Sequence, residues 1–217
     1  MADWFKNAIV RGVDLYPPPS ARVPPNCFLE VDDVLNKWTW RQQFDMIHMR
    51  HLLGAFNAEE WESLYKQCYR YLKPGGWIEQ IEPELCLRAD NAFLKDSNPL
   101  AAYGPLLTRC AERAGRKLDT AVNIRPMLEK AGFTEIQEKE YKVPLGSWRR
   151  EKNLKMAGQI NVAQWVLGVE GWAMWLLTKY GEPEPWEMKR AEDFAKAVRR
   201  GIMRAEREGG VHYYHYA

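Results

Sequence analysis

Apolar positions along this chain follow two periods. Residues 8–15, 27–31, 44–49 and 77–81 are short runs rich in β-branched and aromatic side chains, each bounded by turn formers, and they read as strands. Between the third and fourth runs, Trp61, Leu64, Tyr65, Cys68 and Leu72 recur at three- and four-residue steps, which predicts a helix over 57–72 with one apolar face. Asn57 followed three residues later by Glu60 has the spacing of a capping box. Lys73-Pro74-Gly75-Gly76 stops that helix, because proline cannot continue the ladder and glycine supplies a left-handed residue. Strands alternating with a helix predict an α/β domain built on a mainly parallel sheet.

Beyond residue 90 the helical period dominates. Helices are expected over 99–118, over 125–131 with Gly132 closing it, over 154–180 and over 187–207. A fifth strand is expected over 135–143, ended by Pro144. The link Gly181-Glu182-Pro183-Glu184-Pro185 is too short to divide domains, so one domain over 1–217 is expected, with helical cap elements at about 90–125 and 150–185. Trp61, Trp165, Trp172 and Trp175 fall at helical spacings and read as core. The alternative is that Trp172 and Trp175, with Met174, line a pocket for a flat metabolite.

Composition narrows the partners. The 217 residues are 46% hydrophobic and 28% charged, enough to build a core, and a net charge of +2 argues against a nucleic-acid partner. The charges at 187–207 read as a solvated helix face. The N-terminus has no signal-peptide pattern. The most apolar stretch, 160–177, is broken by Asn161, Gln164 and Glu170, so no membrane span is expected. Cys27, Cys68, Cys86 and Cys110 form no CxxC pair and read as free thiols, consistent with a cytoplasmic, or secondarily nuclear, protein. His48 with His51 and His212 with His215 are spaced by three, but no cysteine or carboxylate cluster joins them, so no metal site is expected.

In open parallel sheets ligands bind beyond the carboxyl ends of the strands. Asp14 ends the first strand and Asp32 and Asp33 end the second, where carboxylates can accept from a ribose diol and from an amino group. A turn aspartate is the other reading of Asp14. Proton acceptors near strand ends are His48, His51, Glu79 and Glu82, with His51 and Glu82 the candidate catalytic bases. A satisfied loop histidine and a solvated carboxylate are their ordinary alternatives.

As a set, GVDL, VPPNCFLEVDD, FDMIHMR and LYKQCYRYLKPGGWIE resemble the seven-strand, S-adenosylmethionine-dependent methyltransferases, and more narrowly their fungal secondary-metabolism and regulator-like branch. EKAGFTEIQEKEYKVPLGSW resembles that branch's later helix end, strand and loop, and VHYYHY the segment just before its last strand. The resemblance implies a Rossmann-like sheet with helices on both faces, shortened at both ends, plus a helical cap. It implies S-adenosylmethionine as cofactor, held by Asp14 at the ribose, Asp32 and Asp33 at the adenine, and Met49 and Arg50 on the methionine side. The family's glycine-rich loop has no counterpart, which puts affinity for the methionine end in doubt. A central strand and the last strand are expected to be missing, with the gap closed by direct pairing of its neighbours or by a strand from another chain. The expected function is methyl transfer to a small molecule. The alternatives are a fold repurposed as a non-methylating cyclase or isomerase, a regulator acting through a protein partner, and a fragment of a longer product. The sequence leaves the oligomeric state open, although a sheet missing its centre gives a strand-exchanged homodimer a driving force.

Overall fold

The computed structural model describes residues 1–16, 23–95, 97–208 and 211–217. The proline run expected to stop the first strand lies outside them. Strands β1 (Val10–Asp14), β2 (Cys27–Val31) and β3 (Phe44–Arg50) precede helix α1 (Ala58–Tyr71). Strands β4 (Leu72–Ile81) and β5 (Arg88–Ala89) follow, then helices α2 (Pro99–Arg113) and α3 (Thr120–Ala131) and strand β6 (Lys142–Leu145). The chain ends with α4 (Lys152–Tyr180), α5 (Met188–Glu208) and β7 (Tyr213–Tyr216). The α/β class expected from the pattern is what is observed.

The sheet is in three pieces. β1 pairs parallel with β2, β3 pairs parallel with β4, and β7 pairs antiparallel with both β5 and β6. Among the described residues no backbone hydrogen bond joins the β1–β2 ladder to the β3–β4 ladder. Direct pairing of these neighbours, one of the two expected ways to close the sheet, therefore does not occur. What ties the ladders together is the segment between β2 and β3. Trp40 donates its indole N–H to Glu30 of β2 at 3.2 Å, while Gln67 of α1 holds the carbonyls of Val34 and Asn36 at 3.2 and 3.1 Å.

Side-chain alternation along β3 and β4 sorts the two faces of their ladder. Met49 is buried and Ile47 and Ile78 half-buried against Trp61, Leu64, Tyr65 and Cys68 of α1 and Leu128 of α3. On the other face Met46 stands opposite Trp77 in the ladder, and both are exposed, Trp77 at 57%. The β1–β2 ladder leaves Phe28 and Val31 open as well. A parallel ladder is ordinarily covered on both faces, so these are the least protected apolar surfaces of the sheet.

Local chemistry sets the helix ends. Asn57 Oδ1 accepts from the Glu60 amide at 2.9 Å and Glu60 Oε2 accepts from the Asn57 amide at 2.7 Å, which is the expected capping box. Gly132 closes α3 with φ 105°. A second core gathers Leu100, Tyr103, Leu107 and Cys110 of α2, Trp165, Val169 and Leu177 of α4, and Val198 and Ile202 of α5. The Tyr103 hydroxyl donates to the Val169 carbonyl at 2.8 Å, locking α2 to α4.

Three expectations are corrected. Trp172 and Trp175 are 39% and 52% exposed, so only Trp61 and Trp165 of the four tryptophans are core. The segment VHYYHY, expected to correspond to the one just before the family's last strand, itself contains β7, the central strand of the third sheet. The strand expected over 135–143 is confined to 142–145 and runs through Pro144, which needs no N–H toward β7 where it stands opposite Tyr214.

Candidate functional site

Each parallel ladder gathers polar side chains at its carboxyl end. On β1–β2 the Asp32 amide donates to the Asp14 carbonyl at 3.1 Å, which brings the two aspartates side by side. Asp14 Oδ1 accepts from the Tyr16 amide at 2.9 Å, Asp32 Oδ1 from the Asp33 amide at 2.7 Å, and Asp33 Oδ1 from the Leu35 amide at 2.9 Å. Each carboxylate thus fixes one oxygen in its own turn. The second oxygen of each has no partner among the described residues. The turn reading of Asp14 and its availability to a ligand are both true of the same side chain.

On β3–β4 the central group is Glu82, one residue past β4 and only 4% exposed. Its Oε1 accepts from the Leu52 amide and from Gln80 Nε2, both at 3.1 Å, and Gln80 Oε1 in turn accepts from the Tyr65 hydroxyl at 2.6 Å. Its Oε2 is buried and has no partner. Burial pushes the Glu82 carboxyl above the ordinary value of 4.5, against the hydrogen bonds from Gln80, Leu52 and Leu53 that favour its charge. Burial likewise raises the Tyr65 phenol, so that hydroxyl stays a donor. The solvated-carboxylate alternative for Glu82 is excluded by its burial.

Arg50 and His51 leave the end of β3 beside Glu82. The His51 amide donates to the Ile81 carbonyl at 3.2 Å, and its backbone has φ 58°, a left-handed geometry rare outside glycine. Burial first and the Arg50 charge second lower its imidazole below 6.5. Arg50 is exposed, whereas Met49 points the other way into the α1–α3 core, as successive strand residues must. His48 and Glu79 pair at 2.7 Å on the open face of the ladder. No group of three metal-binding side chains exists among the described residues, and no helix among them is long and apolar enough to cross a membrane.

Neither Gln80 nor Tyr65 was expected to hold Glu82; Tyr65 was read from the sequence only as part of the apolar face of the helix. The signal available was a polar Gln80 on the core-facing register of β4, opposite Met49, which demands a buried partner.

Residues 1–138 match the family described as methyltransferase domain. The chain belongs to that family. Methyltransferase pytC of Aspergillus terreus is 31% identical to it over 196 residues, which are 90% of this chain and 59% of that protein. Secondary metabolism regulator LAE1 of Cochliobolus heterostrophus is 35% identical over 162 residues, 73% of this chain and 52% of that protein. Secondary metabolism regulator laeA of Monascus pilosus is 34% identical over 170 residues, 76% and 44% of the two chains. The methyltransferase-domain chain therefore spans between two fifths and three fifths of the length of these relatives. The fungal secondary-metabolism branch expected from the sequence is the one these relatives represent.

The third sheet of this methyltransferase-domain chain carries its own buried polar group. His215 Nε2 accepts from Asn161 Nδ2 at 3.1 Å, the same amide donates to the Pro144 carbonyl at 2.9 Å, and His215 Nδ1 lies 3.0 Å from the Tyr216 carbonyl. Protonation would set two donors against each other, and burial lowers the imidazole below 6.5, with Glu84, His51 and Arg88 as the charged or titratable groups around it. The unfolded chain takes up that proton first. Stability is therefore complete above pH 6.5 and falls as the pH drops from 6.5 through the lower folded value. Thermal melts between pH about 7.5 and about 5 should show this decline, with a shallower slope in His215→Gln, which still accepts from Asn161; an unchanged slope removes His215 from the account.

Proposed function

We propose that this chain is an S-adenosylmethionine-dependent methyltransferase for a small organic acceptor bearing a hydroxyl or amine. The observation that carries the reading is the row of three aspartates at the carboxyl end of β1–β2, each with one oxygen fixed and one open. Asp14 suits a ribose diol, and Asp32 and Asp33 suit the adenine amino group. Arg50, exposed at the end of β3, suits the amino-acid carboxylate of the same molecule. The cofactor would supply an electrophilic methyl on a sulfonium. The chain's own task is then to hold an acceptor in line and take its proton, and Glu82, whose Oε2 is unpartnered but closed off from solvent, is the base assigned to it once the acceptor displaces what covers that oxygen. The proximity of Gln80 and Leu52 to Oε1 fixes the carboxyl plane, so Oε2 is held in one orientation.

A second reading follows from the relatives named as secondary metabolism regulators: the same aspartates bind the cofactor while the chain acts on a protein partner. A calorimetric titration with S-adenosylhomocysteine tests what the two readings share. Binding should weaken by roughly 10- to 100-fold in Asp14→Ala, the loss of one hydrogen bond to a charged group. Binding unaffected by that change would remove Asp14 from the site. Methyl transfer to a small acceptor then separates the two readings.

A further inference from the structure

We propose that the open face of α4 is a self-association surface, on which a second copy of this chain packs antiparallel to close a symmetric dimer. Between Lys155 and Lys179 the helix carries one charged residue, Glu170, and that side chain is turned aside to Arg199 of α5 at 3.1 Å. One side of the helix is taken up by the second core, through Trp165, Val169 and Leu177. The opposite side is apolar too. Met156, Ile160, Ala163, Leu167, Gly171 and Trp175 follow one another in steps of three or four and all face water, Ile160 at 62% and Leu167 at 81% exposure.

The neighbouring helix shows what a solvated face looks like in this molecule. The open side of α5 presents Lys189, Asp193, Arg200 and Arg204. Against that standard, an apolar stripe rising about 28 Å from Met156 to Trp175 marks a contact surface. Its bulky side chains, Met156, Ile160, Leu167 and Trp175, leave roughly 500 Å² in water, near the upper end of a single patch on a monomer. Two copies face to face remove about twice that. With Gln159 and Gln164 at the rim the contact reaches the roughly 1,200 Å² at which specific interfaces begin.

The order of sizes along the stripe points to a second copy as the cover. Turned end for end about a point between Ala163 and Leu167, the stripe sets Leu167 of each copy against Ala163 of the other, and Ile160 against Gly171. Large meets small at both places, and nothing lies within 4 Å of a methyl group added to Gly171, so the hollow there is open. Met156 and Trp175 come to the same end, where a thioether suits a ring. One surface thus supplies both the projections and the hollows that receive them, as a two-fold contact requires. Lys152 and Lys179 approach at the rim, an exposed like-charge pair that salt screens. None of these residues belongs to the aspartate row or the Glu82 group, and dimerisation is independent of methyl transfer.

Sedimentation velocity of the chain from about 1 to about 100 μM tests this. The expected result is a reversible shift to twice the monomer mass, with a dissociation constant of about 10 μM. Leu167→Glu, at a side chain outside the core, should weaken association by at least about a hundredfold and leave a monomer throughout. Leu167→Ala and Ala163→Leu should each weaken it about tenfold, and the double variant, which exchanges projection and hollow, should restore it. Circular dichroism checks that each variant folds. A monomer at about 100 μM overturns the proposal, whether or not it partitions onto phosphatidylcholine vesicles. So does a dimer that survives Leu167→Glu, or one that dissolves equally in Trp77→Ser and so lies on the open face of the sheet. A double variant that stays dissociated overturns the antiparallel match.

Discussion

Gly158→Ala should lower the melting temperature by roughly 5–15 °C, although alanine normally strengthens a helix interior by about 1 kcal/mol. Gly158 lies in the first third of α4, where the helix meets the turn after β6. The Gly146 amide donates to the Gly158 carbonyl at 3.2 Å, and a methyl group on Gly158 would stand 2.0 Å from the Gly146 carbonyl oxygen. That oxygen is backbone, and Gly146 is itself held at φ 122°, so neither partner can turn aside. Separating α4 from β6 loosens the second core along its length, for which about 2–4 kcal/mol is expected. Gly171, thirteen residues further along the same helix, has nothing within 4 Å of its added methyl. Gly171→Ala should therefore raise the melting temperature by a few degrees, about 0.5–1 kcal/mol. Calorimetry of the two variants reads opposite signs if α4 sits as described, and the same sign if it does not.

Glu82→Gln should separate activity from stability. On the proposed reading of Glu82 as the proton acceptor in methyl transfer, kcat/KM should fall about a hundredfold or more and the acid limb of the rate profile should vanish with it. Stability should move the other way. A carboxyl whose folded value is raised takes up a proton on folding, so its contribution is complete below 4.5 and is lost as the pH rises through the folded value. Glutamine removes that loss while still offering an oxygen to the Leu52 amide and Gln80. At pH 7 the variant should melt above the parent, and the gap should close as the pH falls toward 4.5. A variant that melts lower at neutral pH would mean that Glu82 is held ionised by its neighbours after all. Unchanged turnover would assign proton transfer elsewhere.

How far the sequence spoke depended on the range of the interaction. The capping box at Asn57 and Glu60 and the closure at Gly132 were legible because each is settled within four residues. The strand at Tyr213–Tyr216 was not, since its partners are Lys142–Leu145 and Arg88–Ala89, far off in the chain. Trp172 and Trp175 were misread for a different reason. The helix that carries them is apolar on most sides, so periodicity cannot say which side meets α2 and α5. Glu82 was legible as a strand-end carboxylate, but its burial was not. Its neighbours Gln80 and Tyr65 reach it only once β4 is aligned with β3 and α1 lies across them. Asp14, Asp32 and Asp33 were legible as a group because strand ends are local, and the backbone bond from Asp32 to Asp14 shows them adjacent.

The absence of a shared ladder between β1–β2 and β3–β4 bears on how tightly any ligand spanning both can be held. Two binding surfaces on one continuous sheet are prealigned, and a ligand joining them gains nearly the product of the two separate affinities. Here alignment rests on the indole bond from Trp40 to Glu30 and on the intervening segment, which Gln67 and Tyr71 clamp to α1 and whose Trp38 and Trp40 rings pack against Phe44 and Tyr71. A molecule that touches Asp14 at one end and Glu82 at the other must fix that alignment itself, and its apparent affinity is reduced by the fraction of molecules not already so aligned. Fragments reaching one ladder alone escape the reduction. For such a ligand the whole would be worth less than its halves suggest, and whatever stiffens the junction at Trp40 would tighten the grip on it without touching it.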